Sequence, residues 1–146
     1  MGFDAALISM HLAATAAMVG LIWFVQVVHY PLFEAVGRAE FVSYETAHRF
    51  RTAIVVGPLM AAEALTAGLL VLTPPTGVGR GLPLAGVGVL AVVHLSTVCL
   101  QVPRHAELSR GYDESAHRRL VRSNWIRTVG WSARCVIAVV MVLVAS

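Results

Sequence analysis

Four apolar runs, each about as long as a lipid bilayer is thick, leave this chain few choices of fold. A hydrocarbon core near 30 Å needs roughly 20 helical residues, and runs of that length cover residues 5–28, 52–72, 82–102 and 125–145. Of 146 residues, 58% are hydrophobic and 13% charged, too few charges to cover a soluble domain of this size. The same balance excludes disorder, and two cysteines are too few for a disulfide scaffold. The first run has no basic start and no small-residue cleavage pattern, so it is expected to be a retained span rather than a signal peptide. Pro58 is tolerable inside a membrane helix. Pro74-Pro75-Thr76-Gly77 and Pro103 close the second and third runs. The expected fold is all-α: an integral-membrane four-helix bundle, up-down-up-down, forming one domain over residues 1–146.

Arginine placement gives the expected orientation. Arg38, Arg49 and Arg51 follow the first run, and Arg104, Arg110, Arg118, Arg119 and Arg122 follow the third, while Arg80 stands alone on the other side. Basic residues accumulate in cytoplasmic loops, so both termini are expected to face away from the cytoplasm of a bacterial inner membrane. The two arginine-bearing connections show helical spacing (Phe41, Tyr44, His48; Ala116, Leu120, Asn124) and should extend the second and fourth helices beyond the bilayer.

Ionisable residues occur inside the runs, where a charge costs at least about 2.5–3.5 kcal/mol if unpaired. Glu63, His94 and Arg134 all fall within a turn of the midplane, and Glu63 and Arg134 are expected to pair in a bidentate contact. His94 should join that pair or face Thr97 and Gln101. A polar stripe on the first helix, His11, Thr15 and His29 with Gln26 beside it, points inward. These groups either hold helices together by hydrogen bonds or line a cavity in which Glu63, His94 and Arg134 act as catalytic groups. Cys99 and Cys135 differ in depth and are read as packing residues.

A second cluster gathers at the arginine-rich face. His29, His48, His105 and His117 come one from each helix end, and two sit in Glu-x-x-His: Glu45-Thr46-Ala47-His48 and Glu114-Ser115-Ala116-His117. Residues i and i+3 share a helix face, so each pair can present an oxygen and an imidazole to one metal. Two such pairs plus two further carboxylates make a di-iron or di-manganese bundle site, for which Glu34 and Glu107 are the candidates. A four-histidine metal or haem site is equally writable. The alternative is that these residues face headgroups and favour helix starts. His29 and His105 are also candidate cofactor contacts. Asn124, Arg127 and Trp131 could floor the same pocket, the first two binding an anionic or carbonyl group and Trp131 stacking on a ring.

As a group, His29-Tyr30-Pro31-Leu32-Phe33, Gln101-Val102-Pro103-Arg104-His105-Ala106-Glu107-Leu108 and Leu120-Val121-Arg122-Ser123-Asn124-Trp125-Ile126-Arg127-Thr128 resemble a family of small bacterial four-span membrane proteins of unknown function. More distantly, the chain is similar to the anthrone-oxygenase-like membrane family, whose fungal members oxidise polyketide anthrones. That resemblance implies a four-span layout with polar residues at one face and no particular catalytic set. Two functions are therefore open. One is a membrane redox enzyme using iron, copper or haem, since side chains alone are poor one-electron centres, and taking a hydrophobic ring substrate such as a quinone or polyketide from the bilayer. The other is a non-catalytic subunit of a larger membrane complex; a small transporter acting as a homo-oligomer is a weaker third. No nucleic-acid partner is expected.

Overall fold

Lipid offers nothing to hydrogen-bond an exposed peptide group, so an apolar run that crosses a bilayer closes its backbone bonds within itself as a helix. The computed structural model describes residues 2–145 and contains α1 (Phe3–Phe24), α2 (Phe41–Leu72), α3 (Gly81–Ser96), α4 (Val102–Leu108) and α5 (Glu114–Val144). A π-helical turn (Val25–His29) and a 3-10 turn (Pro31–Ala35) extend α1, and a second π-helical turn (Thr97–Gln101) joins α3 to α4. The result is four membrane-length helical spans, Phe3–Ala35, Phe41–Leu72, Gly81–Leu108 and Glu114–Val144. The chain is an all-α four-helix bundle. Both α2 and α5 begin well before their apolar runs. Asp113 starts α5 by accepting the Ala116 amide at 2.6 Å, a capping bond that holds its carboxyl below the usual carboxylate range.

The spans form a square. α5 packs on α1 and α3, and α2 closes the ring against α1 and, less extensively, against α3. Gly130 lets α5 approach α3: a Cβ there would lie 2.5 Å from Val93 Cγ2. Leu65, Val136 and Leu143 point outward, as lipid-facing side chains should. Inside, two apolar clusters lie along the bundle. One contains Met18, Ile22, Phe33, Phe41, Leu120 and Trp131; the other contains Leu7, Ile8, Leu70, Val78, Ala138 and Met141.

A polar layer lies between the two clusters. Glu63 and Arg134 meet across the diagonal of the square, with Arg134 Nε donating to Glu63 Oε1 at 2.8 Å. The pair forms, but it is not bidentate. Trp131 Nε1 donates to Glu63 Oε2 at 2.7 Å, and Thr15 donates to Oε1 at 3.0 Å, while Arg134 turns Nη1 to the Gly86 carbonyl. His11 Nδ1 and Thr66 Oγ1 share a bond of 2.8 Å beside them. His94 is not part of this layer: its Nδ1 bonds the Leu90 carbonyl one turn back on its own helix at 3.0 Å.

Breaking a buried pair by removing one partner costs about 3–5 kcal/mol, because the other charge is left behind. Glu63→Gln or Arg134→Leu alone should therefore lower the melting temperature of the detergent-purified protein clearly more than the double variant does. Thermal unfolding of the three variants checks the ordering.

Candidate metal centre and its chamber

Pro31 and Pro103 lack an N–H, so the turns before them cannot close in the ordinary helical pattern. Both become π-helical, a wider turn that occurs mostly as a single bulge within α-helices and is frequent at functional sites. The Tyr30 amide accordingly reaches back five residues to the Val25 carbonyl at 2.9 Å. The sequence showed the prolines but not the π turns. Together they set Tyr30 and His105 opposite the first turns of α2.

There the side chains converge. His105 Nδ1 lies 2.7 Å from Glu45 Oε1, and its Nε2 lies 2.9 Å from the Tyr30 hydroxyl. His48 Nδ1 bonds His29 Nε2 at 2.8 Å and the Thr52 hydroxyl at 3.1 Å; among the described residues nothing bonds its Nε2. Tyr44 stacks on the His48 ring at 6.4 Å. Donor atoms of Glu45, His48 and His105 all lie within 4.8 Å of one another. Glu45 is completely buried, yet its Oε2 has no hydrogen-bond partner among the described residues. A buried carboxylate oxygen left bare costs the desolvation of that atom, so this position is short of one positive or proton-bearing group.

Two imidazoles and one carboxylate are a donor set that suits a transition metal. The outer bonds fit as well, because a ligating imidazole commonly holds its second nitrogen in a hydrogen bond. His105 does so with Tyr30 and His48 with His29 and Thr52. A metal at His105 Nδ1 would put the ring proton on Nε2, and the Tyr30 hydroxyl can accept as readily as it donates.

Other candidates lie elsewhere. His117 is buried with Nε2 on the Tyr30 carbonyl at 2.7 Å, at the end of the π turn, and Nδ1 on the Tyr112 hydroxyl at 3.0 Å, so both nitrogens are engaged. Glu114 is a correction to the paired Glu-x-x-His expectation, since it is exposed and paired with Arg118 one turn on. The helix phase explains it: His117 faces inward and Glu114, at the first turn of α5, faces water. Glu107 binds Arg104 and Arg119 at the surface, and Glu34 is exposed, so neither adds a carboxylate to the cluster. Cys99 and Cys135 are both free.

A chamber of about 580 Å³ opens beside the cluster, where α2 and α3 pack least. His48, His105, Tyr30, Gln101 and Arg127 line its inner end, and Phe50, Val56, Met60 and Val102 its apolar walls. His48 also borders a second cavity of about 450 Å³ between α1 and α2, which His29 lines. Arg127 donates to Asn124 Oδ1 at 3.2 Å, and Asn124 Nδ2 donates to Gln26 at 3.0 Å. Asn124 thus positions Arg127 and does not itself line the chamber. Trp131 does not line it either: it is fully buried, with Arg127 over its ring at 5.3 Å and its N–H spent on Glu63. Sequence reasoning assigned no role to Tyr30, although its place between His29 and Pro31, one residue from a histidine at a helix end, was a usable signal.

Comparison with protein-family models, with curated proteins and with solved structures finds no match for this chain.

Tyr30 anchors both neighbours, by its hydroxyl to His105 and its carbonyl to His117. Tyr30→Phe removes the hydroxyl and leaves the carbonyl bond to His117, and should cost about 0.5–1.5 kcal/mol, whereas His117→Ala strips the carbonyl of its buried partner and should cost more. Denaturation of the two variants in detergent measures the difference.

Proposed function

We propose that the chain is a membrane redox enzyme that holds one transition-metal ion with Glu45, His48 and His105 and acts on a hydrophobic ring substrate taken from the bilayer. The observation that carries this reading is the bare, wholly buried Glu45 Oε2 beside two imidazoles whose outer nitrogens are already engaged. Two histidines and a carboxylate are the donor set of non-haem iron sites, which favours iron over copper. Haem is the weaker reading, because His117 uses both nitrogens elsewhere and His29 Nε2 is taken by His48. An ion bound there would supply the one-electron or oxygen chemistry that side chains lack. Around it, Glu45 supplies negative charge and Tyr30 fixes the His105 ring while holding a proton at its hydroxyl. The apolar walls of the chamber keep water from the inner end and admit a flat ring from the side. By the arginine count, this end faces the cytoplasm of a bacterial inner membrane and both termini lie on the other side.

The enzyme reading predicts about one equivalent of iron or copper in protein purified in mild detergent without chelator, read by elemental analysis with a visible spectrum. His105→Ala and His48→Ala should lose that metal while staying monodisperse, Tyr30→Phe should bind it about 10–100-fold more weakly, and Glu114→Ala should keep it. Colourless, metal-free wild-type protein that also fails to take up added iron would defeat the enzyme reading and leave a non-catalytic subunit, with its partners sought by gentle co-purification.

A further inference from the structure

Arg127 and Arg134 stand two turns apart on α5, both buried, and only one of them has a counter-charge. Arg134 takes Glu63. Arg127 has the Asn124 amide oxygen at 3.2 Å, the Trp131 ring face and the Tyr30 hydroxyl beside it, all neutral groups. Among the described residues, no carboxylate comes within ion-pair distance of Arg127. Its Nε has no partner, and the Oε1 atom of Gln101, which lines the same chamber, has none either.

A guanidinium cannot escape this position by shedding its proton, as a buried lysine can. Burial without an anion leaves the desolvation of the charge uncompensated. The geometry points to an anion from outside the chain. The chamber has the size of a small-molecule site and lies between α2 and α3; its walls are largely apolar, with Thr46, Thr52, Thr97 and the exposed Arg49 also lining it, and the buried Arg127 is among its polar groups. We infer that it binds a lipophilic oxyanion, an apolar ring or chain carrying one ionised oxygen that sits on Arg127. Gln101 Oε1 is placed to accept from a hydroxyl or N–H on the same molecule. The inference deepens the substrate side of the proposed function, because the same chamber reaches His48 and His105, but it makes no use of the metal.

The test is a titration of the purified protein in phosphatidylcholine nanodiscs with a 6-alkyl-2,4-dinitrophenol, ionised at neutral pH, and with its uncharged methyl ether. The wild type should bind the phenolate about tenfold or more tightly than the ether, about 1.4 kcal/mol. Arg127→Gln should lose that preference and Arg127→Lys should keep part of it. Repeating the titration with phosphatidylglycerol in the discs separates two sources of the same chemistry. Competition in the wild type but not in Arg127→Gln assigns the natural oxyanion to a lipid headgroup, and no competition assigns it to a free acid. Equal wild-type affinity for phenolate and ether, a result that needs no variant to fold, overturns the inference. Metal content is measured on the same samples. Protein that neither contains metal nor takes up added iron yet still prefers the phenolate keeps this inference and defeats the metal reading, and metal-loaded protein without the preference does the reverse.

Discussion

The Glu63 carboxylate is the point through which the four helices hold one another. α2 and α5 stand on a diagonal of the bundle, where their backbones do not touch, and only long side chains can join them. Arg134 and Trp131 do so from α5, and Thr15 adds α1. Arg134 also reaches the Gly86 carbonyl on α3, so one charged pair touches every span. In lipid, helices gain nothing by hiding apolar surface from one another, since acyl chains are as apolar as leucine. A satisfied polar layer between two apolar clusters therefore decides which faces turn inward and at what height the helices stop sliding.

From that layer the order propagates toward the arginine-rich end through Trp131. Its indole N–H is committed to Glu63 and its ring face carries the Arg127 guanidinium, so the rotation of α5 that serves the midplane also aims Arg127 at the chamber. Asn124 and Gln26 then tie the next turn of α5 to α1. The midplane layer and the cluster of Glu45, His48 and His105 are thus two polar layers of one bundle, with Trp131 and Arg127 between them. The upper layer rests on a lower one whose groups are nearly all satisfied, Arg134 Nη2 being the exception there.

Much of this was legible in the residues because lipid makes unpaired charge so costly. The four spans follow from run length, and the meeting of Glu63 with Arg134 follows from equal depth. Helix rotation was the part that depth could not supply. Glu114 and His117 share a sequence spacing with Glu45 and His48, yet one pair turns both members inward and the other only its histidine, because Glu114 is the first residue of α5 whereas Glu45 lies a full turn inside α2. Trp131 looked like a pocket wall from its spacing to Arg127, and only the position of Glu63 across the bundle shows that its N–H was already spoken for. The π turns were hidden for a similar reason: a proline announces that a bond is missing, but not which wider turn will absorb the gap.

Those two turns also explain why the cluster sits where it does. A straight α1 or α3 would carry its side chains past the rim in an uninterrupted spiral. One extra residue per wide turn instead rotates everything beyond it, so that Tyr30 and His105, from helices that do not pack on each other, meet above the first turns of α2. α2 is long enough to receive them because Phe41 starts it well outside the apolar run, putting Glu45 and His48 at the same level. Its looser packing on α3 leaves the chamber open on that side. A tighter α2–α3 seam would gain dispersion contacts but close the chamber, so the sparse packing there and the unpartnered Glu45 Oε2, Gln101 Oε1 and Arg127 Nε belong to the same arrangement.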